Sequence, residues 1–268
     1  MKLRNPPLVE AWIDFRFETP PAPPDPTGAE RAERLLRKHF GEELPQVEHL
    51  VEDLFEFKPP RPEARPSLTV SQRTVAVRAA NHAGTSVVQM GPNFASAHFV
   101  RADGADYPGF PALRDRALEV LRLHMEEFGE SDPPGRCLRA FGLHNIDVVD
   151  VPREPDGSAD LSSWFEFDVR VPSVGVGDPP FRVAARCEST TPVEDVRLTF
   201  SFESQDAPAD AGARFRLEWH LDGSAGGEGP AGPETVRPRL DAAHAYLNTV
   251  FRAAFTDAMW ARFSPADA

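Results

Sequence analysis

Cysteine is nearly absent from this chain: 268 residues hold two, Cys137 and Cys187, with no CxxC spacing. That excludes a disulfide framework and points to a reducing, cytoplasmic setting, with both thiols expected as small buried side chains. No apolar run approaches the roughly 18 residues that cross a bilayer as a helix, so no membrane is expected as a partner. The opening MKLRNPPLVEAW has no signal-peptide core ahead of its first prolines. Basic side chains are outnumbered, with 29 Lys and Arg against 42 Asp and Glu and a net charge of -13. An acidic surface repels phosphate backbones, which disfavours nucleic acid except through a local basic patch. The chemical motifs are missing too: there is no GxGxxG, GxxxxGK[ST], GxSxG or HExxH. Phosphate cradles and zinc sites need those residue types at those spacings, so no cofactor, metal or catalytic residue is assigned.

What is present is patterned. Leu8 to Glu18 alternates almost perfectly, with Val9, Ala11, Ile13, Phe15 and Phe17 on one side and Glu10, Trp12, Asp14, Arg16 and Glu18 on the other. Such a period of two predicts a strand with one dry face. Proline-rich stretches at 19–26 and 59–66 punctuate the chain, which holds 28 prolines. Between them, Glu30–Phe40 reads as a helix and Val47–Lys58 fits a helix or a strand. Leu68–Arg78 alternates with a change of phase, which predicts a bulge or turn near Gln72. A turn at 81–84 separates it from strands at Thr85–Met90 and Phe94–Arg101. Tyr107–Phe128 then predicts a long helix, with Pro111 at its start, Gly129 after its end, and Leu113, Ala117, Leu121, Met125 and Phe128 at helical spacing.

A second series follows. Leu138–Val151 reads as a strand. Phe165–Val171, Phe181–Cys187, Val196–Phe202 and Phe215–Leu221 alternate like an antiparallel sheet with one wet face. A Gly-rich loop at 223–234 leads to a last helix around Leu240–Phe263, expected on the dry face. The fold class predicted is α+β, in two similar halves, 1–130 and 131–268, each an antiparallel sheet closed by a long helix.

The wet face of the second sheet carries Arg170, Arg182, Arg186, Arg197, Arg214 and Arg216 among Glu166, Asp168, Glu188, Glu203, Glu218 and His220. It reads either as solvated cross-strand ion pairs or as a docking surface for a protein partner or an anionic ligand. A second candidate is a polar site of His144, Asn145, Asp147 and Glu188. Alternation puts His144 with Ile146 on one face of its strand, and Asn145 with Asp147 on the other. His124 and His244 border the apolar stripes of the two long helices, where a histidine usually bonds a carbonyl or meets solvent. Glu10, Trp12, Asp14 and Arg16 share a face, yet nothing in the sequence places their carboxylates in a cleft.

Several stretches resemble one bacterial family, the sporadically distributed TIGR protein family. They are PPLVEAWIDFRFE at 6–18, VQMGP at 88–92 with YPGF at 107–110, RAFGLHNID at 139–147, and LDAAHAYLNTVFRAAF at 240–255, with His244 and Phe251 at recurring positions. Where that family tends to have Arg, Tyr and Asn, this chain has His144, Asn145 and Asp147. The family has no established activity, and its patchy distribution is similar to that of defence-associated genes. The resemblance, with the missing motifs and the charged face, implies a non-catalytic cytosolic protein-binding component, for instance of a defence or toxin–antitoxin type system. A hydrolase or ligand-binding site near His144 and a nucleic-acid role for the arginine-rich face are the alternatives.

Overall fold

The structure, a computed structural model, describes residues 7–18, 27–58, 67–102, 106–129, 137–152, 159–167, 184–205, 212–225 and 231–263. Its strands are β1 (Leu8–Phe17), β2 (Gln46–Lys58), β3 (Ser67–Ala80), β4 (Ser86–Gly91), β5 (Phe94–Val100), β6 (Leu138–Val151), β7 (Ala184–Thr190), β8 (Val196–Gln205) and β9 (Ala213–Ser224). Its helices are α1 (Gly28–Phe40), α2 (Phe110–Phe128), α3 (Pro233–Ala253) and α4 (Asp257–Phe263).

The protein is α+β, but the two sheets expected from the sequence are one. A single nine-stranded antiparallel sheet runs in the order β2-β3-β4-β5-β1-β6-β9-β8-β7. The join is made by β1, which pairs with β5 along one edge and with β6 along the other. An alternating strand is indifferent to which neighbour supplies its hydrogen bonds, so the sequence could not reveal that β1 belongs to both series. No helix closes a sheet of its own. Instead α1 packs on β3 and β4, α2 on β5, β1 and β4, and α3 on β6, β9 and α2.

One face of the sheet is therefore dry. Ala11, Ile13 and Phe15 of β1, Phe141 and Leu143 of β6, and Leu217, Trp219 and Leu221 of β9 are at most 2% exposed. Each large side chain so buried contributes about 1.5–3 kcal/mol of transfer free energy. The helix layer is tied by charge as well: Arg31 Nε donates to Glu127 at 2.9 Å between α1 and α2, and Arg114 Nη1 to Asp241 at 2.6 Å between α2 and α3.

Several local expectations are corrected. Val47–Lys58, ambiguous alone, is strand throughout, because β3 pairs along its whole length. The irregularity in β3 falls at Val75 rather than near Gln72, where the register skips between Leu50 and Val51 of β2. The turn at 81–84 forms as expected: Asn81 Oδ1 accepts from the N–H groups of Thr85 (2.8 Å) and Ser86 (3.2 Å), and Gly84 supplies φ +68°. Phe165 is no strand residue but makes an isolated bridge to Phe255, and positions 168–171 lie outside the described residues.

That bridge breaks the last helix in two. Ala254 O accepts from Glu166 N at 3.0 Å, Thr256 N donates to Trp164 O at 3.2 Å, and Thr256 Oγ1 accepts from Met259 N at 3.4 Å to start α4. Both cysteines are exposed, against expectation: Cys137 precedes β6, and Cys187 lies on the edge strand β7, whose residues are all exposed.

Candidate functional site

The other face of the sheet carries no described helix, and register brings one row of rings together there. Trp12 of β1 stands opposite His98 of β5 and His144 of β6, and His144 stands opposite His220 of β9. The Trp12 and His144 rings stack at 4.5 Å, Trp12 and His98 at 5.9 Å, and His220 meets both Trp12 and His144 edge-on.

Carboxylates border the row. His144 Nε2 donates to Asp14 Oδ2 at 2.5 Å, and its Nδ1 lies 2.7 Å from Nδ1 of His220. His220 Nε2 is 3.3 Å from Glu218 Oε2. Arg16 Nε holds the other oxygen of Asp14 at 2.9 Å and also bonds Asp222, and Arg216 holds the other oxygen of Glu218 at 2.7 Å. On the far side of the indole, His98 Nε2 pairs with Ser96 Oγ at 2.9 Å, and Nδ1 lies 3.6 Å from Glu10. Every ring nitrogen of the three histidines thus has a partner.

Gly142 makes the central contact possible. It sits on β6 directly opposite Asp14, and a Cβ there would collide with both His144 Nε2 and Asp14 Oδ2. Without one, the imidazole lies across the backbone and reaches the carboxylate diagonally. Burial alone would raise Asp14, but the His144 hydrogen bond, with the charges of His144 and Arg16, holds it below the usual carboxylate range. His220 is held below the ordinary imidazole value, first by burial and then by His144 beside it.

The polar set of His144, Asn145, Asp147 and Glu188 is not brought together. His144 faces the helix-free side, with Glu188 on the same side of the sheet but two strands beyond β9, while Asn145 and Asp147 face the helices. Asp147 is 2% exposed, its Oδ2 has no hydrogen-bond partner among the described residues, and burial pushes its carboxyl up to about 7 against the pull of the Trp219 indole. His124 and His244 serve packing. His124 Nε2 bonds Gly91 O at 2.9 Å under a stacked Phe17, and His244 stacks on Phe110 at 3.7 Å, burial pushing it down to about 4.

Of the six arginines, Arg170 and Arg182 lie outside the described residues. Arg186 pairs with Glu188 at 3.1 Å, Arg214 with Asp150 at 2.8 Å and Arg216 with Glu218. Arg197 is exposed and makes no ion pair among the described residues. A depression of about 220 Å³ lies among Arg186, Ser201, Glu203, Arg216 and Glu218, adjoining the histidine row through Glu218. Among the described residues, no group of three His, Cys, Asp or Glu is placed to hold a metal, and no helix is long and apolar enough to cross a membrane.

The sequence placed Trp12, Asp14 and His220 on wet faces one strand at a time, and put His144 only on the Ile146 face of its own strand, but register alone aligns them. His98 and Ser96 were not singled out. The available signal was Gly142, a glycine inside a strand, which marks a close approach.

The chain matches no family model, no curated protein and no solved structure.

Proposed function

We propose that this chain is a non-catalytic binding component whose helix-free sheet face receives a protein partner. The observation that carries the reading is the pairing on that face. Its imidazoles and carboxylates are spent on one another, while Arg197 stands exposed and makes no ion pair among the described residues, Asp222 opposite it being held by Arg16. Groups engaged in this way are held in place as a well-ordered docking surface, to which a partner would bring an acid for Arg197. Membership of the sporadically distributed TIGR protein family, a defence-associated setting and a cytoplasmic location belong to the same proposal, on the strength of the short matching stretches. So does the duplication into two halves. The strand order supports it, since each series begins at the β1–β6 join, ends on the strand beside its own first strand, and is followed by a helix.

One observation favours a hydrolase instead. Ser96, His98 and Glu10 have the connectivity of a nucleophile, base and orienting acid. Against it, Ser96 is 2% exposed, so its oxygen is closed to a substrate carbonyl. Labelling of Ser96 by a fluorophosphonate would establish the hydrolase reading and sink the non-catalytic one.

The binding test uses the tagged protein purified from its host at native expression, with any stoichiometric partner identified by mass spectrometry. Arg197→Glu is expected to remove that partner, and Arg122→Glu, on the exposed side of α2, to retain it. Equal retention by both variants would overturn the assignment of the face.

A further inference from the structure

Asp14, His144, His220 and Glu218 form one chain of polar contacts from β1 through β6 to β9, and chemistry fixes its proton count. An ionised carboxylate only accepts, so the Nε2 atoms facing Asp14 and Glu218 must each carry hydrogen. Two Nδ1 atoms 2.7 Å apart hold one hydrogen between them, one donating and the other accepting. The three contacts therefore need three protons on four ring nitrogens. Two neutral imidazoles supply two, and two imidazolium ions supply four. The chain is complete only when the pair shares a single extra proton.

The surrounding charges keep the count at three. Each carboxylate is divided between a guanidinium and an imidazole: Asp14 gives Oδ1 to Arg16 and Oδ2 to His144, and Glu218 gives Oε1 to Arg216 and Oε2 to His220. A guanidinium on one oxygen favours the ionised form of a carboxylate, and an ionised carboxylate favours hydrogen on the Nε2 that faces its other oxygen. Arg16 also binds Asp222, and Ser201 Oγ donates to Glu218 Oε2 at 3.3 Å. Trp12 lies flat on His144 and separates the pair from His98 with its own Glu10 and Ser96.

We propose that this chain is a single-proton lock across the β1–β6–β9 seam, closed by one shared proton and opened when a second is added or the first is lost. A second proton sets N–H against N–H at the Nδ1 contact and places two cations side by side. His220, whose side chain is 25% exposed against 8% for His144, is the one that swings out. Loss of the shared proton leaves a ring lone pair facing a carboxylate. The longer His220–Glu218 contact, at 3.3 Å against 2.5 Å, then gives way. The depressed proton affinity of His220 agrees with a second proton that enters only in acid. The lock is independent of what the face binds.

The test is a histidine-ring NMR titration of the intact chain, with Trp12 emission followed in parallel. His144 and His220 are expected to titrate together in two steps separated by more than about one pH unit, as coupled groups do. Trp12 emission should step at the same midpoints, a signal lost in Trp12→Phe. Glu218→Gln should lower the upper midpoint of the pair. Separate single-step curves for His144 and His220 in the folded wild-type protein would overturn the lock, whatever the variants do.

Discussion

Trp12 and His144 stack with ring centres 4.5 Å apart and planes 9° from parallel, so the indole fixes the direction in which the imidazole reaches Asp14. The path of that reach crosses the bare backbone of Gly142.

Gly142→Ala should therefore break the Asp14–His144 bond without touching the dry core. A buried charge-assisted bond lost and a steric push added are each worth about 1–3 kcal/mol. Urea denaturation should show a lower midpoint at unchanged slope. A change within about 0.3 kcal/mol would mean that the glycine is not what lets the two side chains meet.

Two groups shifted by burial, the buried Asp147 and the half-buried His244, should bend the pH dependence of stability in opposite directions. Asp147, raised from 3.8 to about 7, binds its proton more tightly when folded, so its contribution falls as pH rises from about 4 to 7. His244, lowered from 6.5 to about 4, binds its proton less tightly when folded, so its contribution is lost as pH falls through the same window. Wild type should show a muted slope. Asp147→Asn should leave stability rising with pH there and raise it at pH 8. His244→Phe, which keeps the stack on Phe110, should leave it falling. Each slope is bounded by about 1.4 kcal/mol per pH unit for a single proton, and parallel curves for the two variants would contradict both assignments.

Cys137 and Cys187 should both react with a thiol reagent in the native state, since both are exposed. Two equivalents titrated before any denaturant is added is the expected count. A second thiol appearing only in urea would place one of them inside.

What was legible in the sequence was local. The two-residue period of Leu8–Phe17 assigned β1 its dry side, and the stripe of α2 with Pro111 and Gly129 set that helix to within a few residues. Val47–Lys58 was undecidable because its apolar residues satisfy both periods, and only its pairing with β3 settles it. The histidine row was illegible for a stronger reason. Trp12, His98, His144 and His220 come from four strands, and a slip of one residue between any two would turn one of them toward the helices. Register is set by the whole of each ladder, and β1–β6 joins segments more than a hundred residues apart. The same non-local pairing hid the single sheet behind what read as two.

The placement of β1 also bears on synthesis. During translation its partner β5 follows within the first hundred residues, and a five-stranded sheet can form with α1 and α2 upon it. The opposite side of β1 then offers unpaired N–H and C=O groups until Leu138–Val151 leaves the ribosome. For that interval the nascent chain presents a strand edge beside which another nascent copy could lay its own β1 or β6. Slow translation between residues 101 and 138 would lengthen that exposure, and crowding on polysomes would raise the chance of such misassembly.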